Sequence, residues 1–172
     1  MENPFPLHTI ESAPEEVREA LTPMQERMDF LPTMAGKLAE APALLNAYLA
    51  AAPFFDQTSL TPSERTVVYM AASHRQNCDF CMTAHSWGAQ RQGLDEATLN
   101  GLREGRPLPD NKLETLRQFT LVMLEKRGAV SDSEKEAFFS AGYTPRQALE
   151  VILGLALKTM TNYTNALAVP RH

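Results

Sequence analysis

Apolar positions recur along this chain at three- and four-residue spacing, separated by short polar segments rich in Ser, Thr, Asp, Pro and Gly. That period is helical. Ser12-Ala-Pro-Glu15, Thr61-Pro-Ser-Glu64, Ser131-Asp-Ser-Glu134 and Thr144-Pro-Arg-Gln147 each have the form of a capping box, in which the first and fourth side chains bond amides that a starting helix leaves orphaned. Gly93, Gly105, Gly128 and Gly142 each follow a helical pattern and suit the left-handed stop. The predicted helices span 13–29, 41–52, 62–75, 79–92, 95–104, 110–127, 132–141 and 145–166. No segment alternates with period two between hairpin turns, so the predicted fold class is all-α, a bundle of about eight helices.

The last helix sharpens that picture. Leu149, Ile152, Leu153, Ala156, Met160, Tyr163 and Leu167 form one apolar stripe at helical spacing, while Val151, Leu155 and Leu157 lie off it. A helix apolar nearly all round is buried on several sides, in the centre of a bundle or against another subunit, and we expect a homo-oligomer. The Pro-rich stretch from Asn3 to Pro14 is expected on the surface, and Arg106-Pro-Leu-Pro109 is the longest internal linker. Neither marks a boundary, so residues 1–172 are expected to form a single domain.

Composition narrows the partners. At 172 residues and 44% apolar, the chain has enough for one sizeable core. The net charge is -5, with no Lys/Arg cluster on a predicted helix face, so neither nucleic acid nor a membrane surface is expected as a partner. The N-terminus has neither a basic n-region nor an apolar h-region, and no apolar run approaches the roughly 18 residues of a membrane span, so a cytoplasmic location is expected. In such a compartment two cysteines are not a structural staple. Catalysis, metal binding and chance remain.

Both cysteines fall in His74-Arg-Gln-Asn-Cys78-Asp-Phe-Cys81-Met-Thr-Ala-His85. As one continuous helix this segment spreads His74, Cys78, Cys81 and His85 over about 16 Å, too far for one tetrahedral zinc ion. Polar Arg75-Gln-Asn77 instead predicts a break just before Cys78 and a helix starting near Asp79. Cys78 then sits at a helix N-terminus, where the dipole and free amides favour a thiolate below the free-thiol value of about 8.5. It is the candidate nucleophile. Cys81, one turn further in, is the candidate resolving partner, and His85, one turn beyond, is the candidate base or relay. An antiparallel return of the preceding helix, turning near Gln76, places residues 66–67 opposite His85 and Glu64 about one turn away. Glu64 is therefore either an orienting or proton-transfer partner of His85 or simply the capping partner of Thr61.

Leu-Thr-Pro-Ser-Glu-Arg-Thr-Val-Val from 60 to 68, followed by Asn-Cys-Asp-Phe-Cys-Met-Thr-Ala-His from 77 to 85, resembles the core motif of the alkyl hydroperoxidase D-like, or carboxymuconolactone decarboxylase, family. Segments 101–107, 141–144 and 161–165 resemble family elements too. The resemblance implies an all-α homo-oligomer, commonly a trimer or hexamer, that reduces hydroperoxides with an external thiol reductant such as a lipoyl group and has no bound cofactor. It also implies that peroxide oxidises Cys81 and that Cys78 closes the disulfide, the reverse of the order argued from the helix dipole. The order stays open. Thr66 stands where the family's relay glutamate usually stands, with Glu64 two residues back, and Phe80 replaces a histidine between the cysteines. His74 is the candidate substitute.

Two other function classes remain at this point. A lactone decarboxylase needs acid/base groups and no dithiol. A redox sensor or zinc-binding protein would use Cys78, Cys81 and His85 without turnover, although no second Cys/His cluster completes a zinc site. Trp87 reads first as a core residue and alternatively as pocket lining. The methionines read as core filler. Asn162, Tyr163 and Asn165 are candidates to present polar groups from the last helix.

Overall fold

The computed structural model describes residues 4–168; Asn3, the first residue of the Pro-rich stretch, lies outside them. Among the described residues the fold is all-α: α1 (Glu15–Met28), α2 (Thr33–Leu38), α3 (Pro42–Asp56), α4 (Pro62–Arg75), α5 (Asp79–Arg91), α6 (Glu96–Glu104), α7 (Asn111–Glu125), α8 (Asp132–Ser140) and α9 (Pro145–Ala168). No helix among them is long and apolar enough to cross a membrane.

Three capping boxes form as expected. Thr61 and Ser131 exchange bonds with Glu64 and Glu134, and Thr144 does so with Gln147. The fourth does not. α1 starts after Pro14, and the Ser12 hydroxyl instead accepts from the Thr9 amide at 3.0 Å and pairs with His8 Nδ1 at 3.2 Å. All four stop glycines adopt positive φ. The sequence pattern overlooks α2, which is shorter than two helical turns and is held by the buried Ala35 and Leu38. It also ends α3 too early. That helix continues through Pro53 to Asp56, its last turn secured by the fully buried Phe55.

The described residues form two compact units, one comprising residues 4–53 together with 159–168, the other Phe54–Lys158. In the first, Val17 and Leu21 of α1 pack with Ala35 and Leu38 of α2 and Leu45 of α3. In the second, α4 is central, packing on α5, α6 and α7, while α8 packs on α7. Phe119, Phe138 and Tyr143 stack there at centroid spacings of 4.0 and 4.5 Å. A stack of this kind adds about 1 kcal/mol per pair to the area it buries.

α9 divides its apolar positions between two faces: Leu149, Ile152, Tyr163 and Leu167 are exposed in the single chain, whereas Val151, Leu155 and Leu157 are buried. The buried face also carries Lys158, Thr161, Asn162 and Asn165. Gly154 lies on this face because a Cβ there would come within 2.7 Å of the Phe55 ring and 2.8 Å of Val68. The absent side chain lets Phe55 reach Tyr69, with centroids 4.8 Å apart.

Candidate dithiol site

The predicted break between α4 and α5 is present. α4 ends at Arg75, Asn77 takes the left-handed conformation (φ 52°), and Cys78 is the N-cap of α5. Asparagine tolerates that conformation better than most residues. The Cys78 amide donates back to the Ser73 carbonyl at 3.0 Å, which fixes the turn. Cys78 and Cys81 are joined by a disulfide, their Cα atoms 5.3 Å apart.

The two sulfurs belong to different surroundings. Cys78 lines a pocket of about 580 Å³ together with His74, Asp79, Ser86, Trp87 and Arg103. Trp87 is 58% exposed at that wall, so its core reading is corrected. Arg103 Nε donates to the Ser86 hydroxyl at 3.0 Å, bracing α6 against α5. The His74 ring packs so closely on Gly105 that a Cβ there would collide with it. His74 thus shares the pocket with Cys78. Cys81 is 4% exposed and lies one turn from His85 on α5.

His85 is not among the residues lining that pocket and belongs to a polar cluster that the sequence did not reveal. Its ring lies on Tyr69 at 5.0 Å between centroids, and Nε2 is 2.8 Å from Lys158 Nζ. The Lys158 amine also sits over the Tyr69 ring at 5.5 Å. Burial, and secondarily the Lys158 charge, hold His85 well below the usual histidine value, so its imidazole is neutral near pH 7. Lys158, 4% exposed, is pushed down to about 7 by burial. With its ring against Tyr69 and Nε2 taken by Lys158, His85 is no ready zinc ligand. Among the described residues no group of three His, Cys, Asp or Glu side chains is placed to hold a metal ion.

The expected register around His85 shifts. Tyr69 rather than residues 66–67 lies against His85, and the Thr66 hydroxyl donates to Gln92 Oε1 at 3.5 Å. Glu64 is occupied elsewhere. Its carboxylate accepts from the Thr61 amide at 2.8 Å and pairs with Lys112 Nζ at 3.4 Å. Together with burial, it also raises the Tyr143 phenol above its usual range. Of the candidate residues, the structure therefore groups Cys78 with His74 and Cys81 with His85, and sets Glu64 in the capping box. Asn165 of the last helix accepts from Lys37 at 3.3 Å.

Comparison with known proteins agrees with the motif. Residues 39–106 match the carboxymuconolactone decarboxylase family. Among curated proteins none matches the chain in sequence. Crystal structures share its fold. The alkylhydroperoxidase AhpD core protein of Ralstonia eutropha JMP134, described as an uncharacterized peroxidase-related protein, superposes with a TM-score of 0.81 at 19% identity, over 97% of this chain and 91% of its own. An uncharacterized peroxidase-related protein from Silicibacter sp. TM1040 gives 0.78 at 19% identity, over 98% and 91%. The debrominase Bmp8, as a cysteine-to-alanine variant in complex with 2,3,4-tribromopyrrole, gives 0.73 at 16% identity, over 94% and 87%. The family read from the core motif is thus the one that the sequence match returns, and the fold is that of the alkylhydroperoxidase AhpD core.

Proposed function

We propose that this chain is a thiol oxidoreductase that reduces hydroperoxides through Cys78 and Cys81. The observation that carries this reading is the disulfide across the start of α5, with Cys78 lining a pocket and Cys81 one turn from a neutral imidazole. The peroxidase-related description of two structures with this fold supports it.

Pocket access and the helix N-terminus both favour Cys78 as the sulfur that outside groups reach. Its thiolate attacks a hydroperoxide oxygen, the O–O bond breaks, and the alkoxide takes a proton, leaving Cys78 as a sulfenic acid and releasing an alcohol. Cys81 gives up its proton to His85 and attacks the Cys78 sulfur, and the departing hydroxide leaves as water. An external dithiol, lipoyl in type, attacks Cys78 from the pocket side. Cys81 leaves as thiolate and regains a proton, and the second thiol of the reductant completes the exchange. In sum, one hydroperoxide and one dithiol give an alcohol, water and an oxidised reductant.

Purified protein should consume organic hydroperoxide with dihydrolipoamide, and Cys78→Ser and Cys81→Ser should each abolish that turnover. Turnover retained in both variants would overturn the assignment. Alkylating the reduced thiols separates the decarboxylase alternative, which survives the treatment. The same reading includes a homo-oligomer, trimer or hexamer, which gives exposed Leu149 and Ile152 of α9 a partner copy to pack against. Light scattering checks this, and a monomer at micromolar concentration refutes it.

A further inference from the structure

The pocket side of α5 holds one cysteine, but the deeper side has a polar cluster around a buried lysine. A lysine ammonium is expensive to bury, and burial is tolerated when a partner satisfies it. Here a partner is the histidine one turn from Cys81. We propose that Lys158 is the terminal proton store for Cys81, exchanging its proton with that thiol through His85.

The inference rests on the dithiol reading above and deepens it by naming where the Cys81 proton goes. With Lys158 as a neutral amine, His85 Nε2–H donates to Nζ and Nδ1 keeps a lone pair. Nδ1 takes the proton of Cys81 while Nε2 gives its own to Lys158, so the imidazole ends neutral in its other tautomer. The products are a Cys81 thiolate and a Lys158 ammonium, and proton number and charge balance. When an external thiol later expels Cys81 from the disulfide, the same path runs backwards and returns the proton to sulfur.

Protonation preferences run the same way. Lys158 near 7 holds a proton that His85, held well lower, does not keep. The His85 imidazole from α5 and the Tyr69 phenol ring from α4 both face the Lys158 amine. Burial is what brings the amine near neutrality, so both of its protonation states are accessible at working pH. Lys158 touches no reacting atom, so it is a positioning residue that acts through His85.

Thiolate absorbance near 240 nm in Cys78→Ser isolates Cys81 and needs no peroxidase activity. Its midpoint should lie below the free-thiol value of about 8.5. Adding Lys158→Met should raise that midpoint by about one pH unit or more, as expected when a nearby opposite charge is removed. Lys158→Gln, which keeps a hydrogen bond to the imidazole but cannot store the proton, should do the same and guards against misfolding of the first variant. In otherwise unmodified Cys78/Cys81 protein, Lys158→Met should slow dithiothreitol reduction of the disulfide at pH 7 by about tenfold or more. An unchanged midpoint in either folded variant overturns the proton-store role. Wild-type protein that cannot consume peroxide, but whose Cys81 midpoint responds to Lys158, overturns the peroxidase reading alone.

Discussion

Of the charged side chains buried in the Phe54–Lys158 unit, Glu64 and Lys158 are buried for different reasons. Glu64, at the start of α4, satisfies the Thr61 amide and faces the Lys112 ammonium, so its charge is answered within the first turn of its own helix and by a lysine from α7. Lys158, in α9, is set against an imidazole and an aromatic ring, and burial brings its amine down to about 7. The first arrangement pairs a carboxylate with an amide and a cation. The second leaves two states close in free energy at neutral pH, which is the property a proton relay needs. Glu64, which the sequence offers either as a relay partner or as a cap, bonds as a cap, and the group we propose for the relay is Lys158.

The sharpest way to break this contrast is at His85, which pairs with Lys158 and which we propose as the link to the dithiol. His85→Ala should lower peroxide turnover at pH 7 by about 10²-fold or more, because it removes the base that lies one turn from Cys81 on α5. The variant should still form the Cys78–Cys81 disulfide on slow air oxidation. Near-normal turnover in a folded His85→Ala protein would make the Lys158 cluster a packing feature and erase the distinction from Glu64.

A smaller effect concerns stability. A lysine at about 7 in the folded protein and about 10.4 unfolded binds fewer protons when folded across that window. Its contribution to stability therefore rises with pH from about 7 to about 10.4, and the full penalty is present below about 7. Lys158→Met removes the penalty but leaves His85 Nε2 without its partner, a loss of about 1–3 kcal/mol set against a relief of similar or larger size. The net expectation at pH 6.5 is a gain of about 1 kcal/mol, visible as a rise in Tm of several degrees, with the gain shrinking toward pH 9. A fall in Tm of that size at pH 6.5 would show Lys158 to be a satisfied structural cation like the partner of Glu64.

Much of the architecture around the dithiol was legible because local chemistry decides it. Asn77 in a polar run after a helical stretch marks the turn that makes Cys78 an N-cap, and Thr61 with Glu64 marks the start of α4. The family whose model matches residues 39–106 was likewise readable, as a resemblance, from the segments carrying these residues. Lys158 escaped because tertiary packing decides it. α9 is apolar nearly all round, so its pattern does not single out a face, and the buried one mixes Val151 and Leu155 with Lys158, Thr161 and Asn162. One signal was available. Lys158 follows Val151 by seven residues and Leu155 by three, which puts it on their face. The register of α4 against α5 was equally out of reach, since helix crossing, not turn position, sets Tyr69 rather than Thr66 against His85.

The smallest effect belongs to Glu64 and sharpens the comparison from its other side. Glu64→Gln keeps an amide oxygen able to accept from Thr61 N but removes the charge facing Lys112, whose side chain is 47% exposed and therefore screened. Such a half-exposed pair is worth about 0–1 kcal/mol, so Tm should fall by only a few degrees. Glu64→Ala also loses the reciprocal half of the capping box and should cost about 1 kcal/mol more. Neither change touches the path from Cys81 through His85 to Lys158. Peroxide turnover per folded molecule, and its pH profile between about 6 and 9, should match wild type in both. A turnover loss in Glu64→Gln well beyond its unfolded fraction would return the carboxylate to the proton path and demote Lys158.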